Sequence, residues 1–308
     1  MERRNFLKSA AMAGGAAALS GIGATAMAND STAQSNSAKF KLKYAPGIYS
    51  FSDLVGNRDM VDNLKFISDQ GFRAVFENGF PGMDNATQEK LMNELSRLGM
   101  DFGPYVLYAD FGTKSMVIKD EEKRKMLIET VQRGVEIGKR TGAKKALMVP
   151  GRYDERLSWD YQTANVIDCL RELSAIALDG GMMIVLEPLN PYDHPGLFLS
   201  GMPQAYMVCR AVNSPACKIV DDLYHQQITE GNLIPNMRMS WSEIGTFHCG
   251  DNPGRREPGS GEINYRNVFK FIHDQGYDGC ICMEHGVSKR GKEGAQLLID
   301  AYRAADNF

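Results

Sequence analysis

Past a polar leader that ends near residue 38, short apolar runs alternate with longer stretches whose apolar residues return every three to four positions. Tyr44–Phe51 reads as a first strand and Met60–Gln70 as its helix. Arg73–Glu77 and Gln88–Leu98 form the second pair, Asp101–Leu107 and Glu121–Thr141 the third, Lys145–Val149 and Asp160–Asp179 the fourth. Met182–Glu187 is followed by Pro203–Val212, Lys218–Asp222 by a helical stretch over Ile234–Glu243, Gly245–Cys249 by Tyr265–Gln275, and Gly279–Glu284 by Lys292–Ala305. Helices end repeatedly at glycine, as at Gly71, Gly99, Gly142, Gly181 and Gly276, where the chain can turn left-handed into the next strand. Several strands are near-continuous apolar runs, the pattern of parallel strands covered by helices. Eight βα units predict an α/β fold, a (β/α)8 TIM barrel in a single domain over residues 39–308. The competing open doubly wound sheet lacks support, because Gly47-Ile48-Tyr49-Ser50 after the first strand is no glycine-rich phosphate loop.

The first 28 residues lie outside this pattern. Arg3-Arg4-Asn5-Phe6-Leu7-Lys8 precedes a small-residue apolar stretch from Ala10 to Ala28, and Ala26-Met27-Ala28 offers a small-x-small cleavage site. Residues 1–28 thus resemble a twin-arginine signal peptide, with 29–38 a flexible leader. The resemblance implies passage through the Tat export machinery to the periplasm and no stable membrane span.

The chain is 43% apolar and 24% charged with a net charge of −3. Residues 1–28 carry Glu2 against Arg3, Arg4 and Lys8, so their removal takes two positive charges and leaves −5. A nucleic-acid surface is excluded on this balance. Cys169, Cys209, Cys217, Cys249, Cys280 and Cys282 fall on helices and strands; Cys280 and Cys282, two apart on one strand, point the same way and read as buried thiols. Core filling is the reading for Met182, Met183, Met207, Met237 and Met239. Nothing bars a homo-oligomer.

In a TIM barrel, chemistry sits at the C-terminal ends of the strands. Four successive strands close there on Glu187, Asp222, His248 and Glu284. A lone strand-end carboxylate is usually a cap or an ion-pair partner. Four on neighbouring strands point into one cavity, where converging carboxylates need a cation to offset their repulsion. Three carboxylates and an imidazole suit one divalent ion, Mn²⁺ first, with Mg²⁺, Co²⁺ or Zn²⁺ as alternatives.

Leu186-Glu187-Pro188-Leu189-Asn190, Asp222-Leu223-Tyr224-His225-Gln226 and above all the segment Asp251–Tyr265, with Pro253-Gly254-Arg255 and Glu257-Pro258-Gly259-Ser260-Gly261-Glu262-Ile263-Asn264-Tyr265, resemble the hydroxypyruvate isomerase family of the xylose-isomerase-like sugar isomerase/epimerase superfamily. That resemblance implies metal ligation by Glu187, Asp222, His248 and Glu284. It also implies acid/base roles for Glu187 and Glu284, and substrate contacts from His225 and Arg255. The implied reaction is isomerisation or epimerisation of a small hydroxy-carbonyl compound or sugar through a cis-enediolate. The chain departs from the family at His248, where hydroxypyruvate isomerases tend to carry Gln and ketose 3-epimerases His.

Each residue also has a plainer reading. Arg255 can pair with Glu257 or Glu262 to hold its loop, His225 can be a packed core histidine, and Glu77 can line the pocket or form a structural ion pair. His285 points to the other face of its strand. Asp193 and His194, in the loop Asn190–Leu197, read as solvated rather than as a lid. Tyr49, Phe51, Tyr105 and Tyr108 can wall the pocket or pack at the barrel rim. The same ligand set also admits a polyol (inosose-type) dehydratase or an inactive periplasmic sugar-binding barrel. A DNA-repair endonuclease would need more than five histidines and a basic face.

Overall fold

The computed structural model describes residues 37–308, so the signal peptide and most of the leader lie outside the described residues. The elements run β1 (Lys43–Ala45), α1 (Ser52–Val55), α2 (Met60–Asp69), β2 (Ala74–Val75), α3 (Asn85–Leu98), β3 (Asp101–Phe102), β4 (Tyr105–Tyr108), α4 (Glu121–Thr141), β5 (Lys145–Met148) and α5 (Trp159–Asp179). They continue with β6 (Met183–Leu186), α6 (Met202–Val212), β7 (Cys217–Asp222), α7 (Leu223–Thr229), α8 (Leu233–Ser240), β8 (Ile244–Cys249), α9 (Tyr265–Asp274), β9 (Cys280–Met283) and α10 (Gly291–Ala305). At the described end of the leader, the Ser37 N–H donates to Asp69 O at 3.1 Å.

The strands are parallel throughout, in the order β1-β9-β8-β7-β6-β5-β4, with β2 and β3 pairing separately. The barrel closes through a Gly47–Phe76 bridge, Phe76 N–H to Pro46 O at 3.1 Å and Val106 N–H to Asn78 O at 3.2 Å. The third strand position, expected as one run, is cut into β3 and β4 at Gly103-Pro104. Proline has no N–H to give a ladder. A Cβ at Gly103 would sit 2.8 Å from Cys282 Sγ and 2.9 Å from Phe76 Cβ, so the chain presses against the interior there. The first strand also stops early, at Ala45 before Pro46.

Two glycines show how helices hand over to strands. Gly99 (φ 64°) and Gly142 (φ 81°) cap α3 and α4 in the left-handed region. Of the two unforeseen helices, the one-turn α1 and α7, the second bears on the strand ends. Asp222 is its N-cap: its Oδ1 accepts the N–H groups of Tyr224 (2.8 Å) and His225 (3.3 Å), satisfying donors that a helix start leaves free.

Side chains alternate strictly along these strands. Val185, Val220 and Cys282 belong to small clusters inside the barrel, with Leu147, Ala45, Ala74, Phe76 and Cys280. Ile184, Leu186, Ile219, Phe247 and Ile281 face the helix layer in the main core. All six cysteines are buried and free. Met182 and Met237 fill the core as expected, but Met207 and Met239 are 43% and 76% exposed, because each falls on the solvent side of its helix. Phe51 packs on Phe66 and Phe72, and Tyr105 hydrogen-bonds to Gly134 O, so both serve the core rather than the pocket. No described helix is long and apolar enough to cross a membrane.

Candidate metal centre

The period of two decides which residues meet. Glu187 stands two positions above Val185, Asp222 above Val220, His248 above Thr246 and Glu284 above Cys282, all on the inward face. The structure brings these four together: one ligand atom from each lies within 4.8 Å of all the others. His248 Nδ1 is 3.2 Å from Glu187 Oε1 and 3.0 Å from Glu284 Oε2. Glu187, Asp222 and His248 are buried, and Glu284 retains some exposure at the mouth.

Carboxylates packed this closely perturb one another. Burial, with the charge of Glu284 behind it, pushes Glu187 up to about 7, although His248 opposes the rise. Burial acts the same way on Glu284, yet His248, Arg255 and Asn78 together hold it well below the usual carboxylate range. Asp222 is also lowered: burial opposes, but the charges of His225 and Arg255 prevail. His248 is raised well above its ordinary value against its burial, chiefly by Glu284. Two neighbouring glutamates are thus shifted in opposite directions by one shared environment. Three carboxylates and an imidazole in one buried cluster also match the donor set of a divalent cation with positions left for substrate.

Arg255 pairs with neither Glu257 nor Glu262. Its Nη2 donates to Asp222 Oδ2 and Glu284 Oε2, each at 2.8 Å, and its Nε donates to Glu284 O at 3.1 Å. The reason lies in its loop. The buried carboxylate of Asp251 accepts the N–H groups of Gly259 (2.8 Å), Gly261 (3.0 Å) and Ile263 (3.0 Å), winding the segment around itself. A Cβ at Gly261 would meet Asn252 O at 2.3 Å, so only glycine fits that winding. Glu257 is taken by the N–H and hydroxyl of Ser288, and Glu262 by Gln227 and Asn252. Arg255, left-handed at φ 49°, is thereby turned back over the cluster.

His225 is 1% exposed, and its Nε2 lies 3.7 Å from Asp222 Oδ2. Burial lowers its pKa, more than the neighbouring Asp222 raises it. His194 stacks edge-on between His225 (5.4 Å) and Phe111 (5.0 Å), and Asp193 accepts the Tyr224 hydroxyl at 2.8 Å. The loop Asn190–Leu197, expected to be solvated, is bonded to the site. Glu77 forms no ion pair among the described residues and accepts the Gly79 N–H at 3.0 Å. His285 stacks on Tyr302 outside the barrel and hydrogen-bonds to its hydroxyl at 2.8 Å.

Sequence reasoning missed Asn78, whose Nδ2 donates to Glu284 Oε1 at 2.6 Å. Its signal was present, since it closes the second strand as Glu187 closes the fifth. Asn190 was passed over because an uncharged amide carries no chemistry of its own.

Residues 64–305 match the xylose isomerase-like TIM barrel family. The chain belongs to that family, in its hydroxypyruvate isomerase-like branch. A hydroxypyruvate isomerase of Escherichia coli is 31% identical over 185 residues, 60% of this chain and 70% of the relative. A 3-dehydro-D-guloside 4-epimerase of the same organism is 28% identical over 191 residues, 59% of this chain and 71% of the relative. Among family folds, the solved structure of an E. coli 3-keto-D-glucoside 4-epimerase superposes with a TM-score of 0.69 at 21% identity, covering 87% of this chain and 100% of that one. Residues 1–20 match the signal sequence of the twin-arginine translocation pathway, so the chain carries an export signal of that route.

Proposed function

We propose that this protein is an exported, metal-dependent isomerase or epimerase of a small hydroxy-carbonyl compound or sugar. The observation that carries the reading is the pair Glu187 and Glu284, both set against Nδ1 of one imidazole and shifted in opposite directions, Glu187 up and Glu284 down. A binding protein has no use for such a pair, and the relatives named above include an isomerase and an epimerase.

A divalent ion, Mn²⁺ by preference, held by Glu187, Asp222, His248 and Glu284 would polarise the hydroxy-carbonyl group and offset the charge of the cis-enediolate. The chain's own residues move the protons. Glu187 and Glu284, whose carboxylates both lie within 3.2 Å of His248 Nδ1, would exchange protons with the substrate, one accepting and the other delivering. Delivery of a proton by the other glutamate to the neighbouring carbon, with the hydroxyl proton passing to the former carbonyl oxygen, isomerises the substrate; delivery to the opposite face of the same carbon epimerises it. Arg255 and His225, both beside Asp222 Oδ2, would offer donors to substrate oxygens there. The twin-arginine route carries folded proteins, so the site would be loaded before export and work in the periplasm, with residues 1–28 as signal and 39–308 as the barrel.

The test is incubation with hydroxypyruvate, aldoses and ketoses in D₂O with Mn²⁺. Label at C1 or C2 reports isomerisation, and label at C3 epimerisation. Glu187→Gln and Glu284→Gln should each lower exchange about 10²–10⁴-fold. Ligand binding that survives chelation, with no exchange on any substrate, would sink the reading and leave an inactive sugar-binding barrel.

A further inference from the structure

The hydrogen bonds of the β6–α6 loop run in one direction. Asn190 Oδ1 accepts the backbone N–H groups of Tyr192 (3.1 Å) and Asp193 (2.9 Å). An atom that faces two N–H donors must be the amide oxygen, so the orientation of the Asn190 side chain is settled. Its Nδ2 then donates twice, to Asp193 Oδ2 at 2.9 Å and to His225 Nδ1 at 2.7 Å. The backbone N–H of Asn190 reaches the same ring nitrogen at 3.4 Å. Asp193 Oδ2 also takes the Tyr224 hydroxyl, which pins the far end of the chain of bonds.

His225 Nδ1 therefore faces donors only. It is the bare nitrogen, and the ring proton sits on Nε2. That nitrogen is buried, has no hydrogen-bond partner among the described residues, and stands 3.7 Å from Asp222 Oδ2 at the edge of the cluster.

We infer that Asn190 is a positioning residue that fixes the tautomer of His225, making this imidazole a neutral hydrogen-bond donor to the substrate rather than a base. Its consequence for catalysis rests on the proposed reaction; the tautomer itself does not. A donor at Nε2 strengthens as negative charge gathers on the substrate oxygen beside Asp222, which is where such a donor is worth most. The opposite tautomer would aim a lone pair at both that oxygen and the Asp222 carboxylate.

The test is long-range ¹H–¹⁵N NMR of the ¹⁵N-labelled full chain loaded with diamagnetic Mg²⁺, with His225 assigned by comparison with His225→Gln. The wild-type ring should show a protonated Nε2 and a bare Nδ1. Asn190→Asp keeps the shape but replaces the donor with an acceptor, and should move the proton to Nδ1. In the exchange assay the same variant should lose about 10²-fold in kcat with KM little changed, the scale of one lost oxyanion donor. A wild-type ring protonated at Nδ1, or an Asn190→Asp ring unchanged in tautomer, overturns the inference. The wild-type spectrum decides even if the variant misfolds. Absence of exchange in the wild type would defeat the proposed reaction while leaving the tautomer readout intact.

Discussion

The two halves of the barrel are built to different standards. From β5 to β9 the strands are four to six residues long and form the middle of the seven-stranded parallel sheet, with one register shift where β7 meets β8. From β1 to β4 they are two to four residues long, and the third position is cut at Gly103-Pro104. All four cluster residues come from the continuous half. The interrupted half sends in one, Asn78, from a turn after β2. A cation site needs its ligands held to within about 0.5 Å, which paired strands of four to six residues supply better than strands of two. The division of labour is therefore mechanical: one half holds the charges, and the other closes the barrel and supports them.

The strongest way to break this comparison is at His248. His248→Ala should weaken Mn²⁺ binding by at least about 100-fold in calorimetry, since even supporting residues of metal sites are worth 10–100-fold. Retention of wild-type affinity would mean that the continuous half does not hold the ion. Acid should act next. Glu187 must be ionised to ligate and is raised to about 7 in the metal-free fold. Protons then compete with the ion at Glu187 and at His248, itself raised well above its ordinary value, so affinity should fall as pH drops through about 7, by about tenfold per unit or more. The same shift favours protonated Glu187 in the folded state, so its contribution to metal-free stability fades as pH rises from the unfolded value towards 7. Affinity flat between pH 6 and 8 (roughly the window set by that shift) would remove Glu187 from the ligand set.

In the interrupted half, effects should appear as stability or fine tuning. Gly103→Ala places a methyl against Cys282 and Phe76, and should cost about 1–3 kcal/mol in thermal or urea unfolding while leaving metal affinity unchanged. The smallest effect belongs to Asn78→Ala. Loss of its hydrogen bond to Glu284 should lower metal affinity about tenfold, the low end for a residue that supports a metal ligand. A loss as large as that of His248→Ala would erase the distinction between the halves.

Much of this was legible along the chain. The βα alternation, the helix stops at Gly99 and Gly142, and the strand-end residues Glu187, Asp222, His248 and Glu284 all follow from local periodicity, because a strand of known phase has only two faces. The misses share a cause as well. Arg255 turns away from Glu257 and Glu262 because Asp251 winds its loop, and Asn190 matters only because Oδ1 meets two N–H groups that its own loop supplies. Met207 and Met239 point outward because the phase of a helix against its barrel is set by packing.

The sequence by itself determined the barrel, the export signal and the four residues that gather at its mouth, since each is encoded in short-range pattern. Only the tertiary structure decided what those residues became: which glutamate is raised and which lowered, where Arg255 reaches, and which nitrogen of His225 carries the proton. Charges and hydrogen bonds act through space, over distances that the order of residues along a chain does not specify.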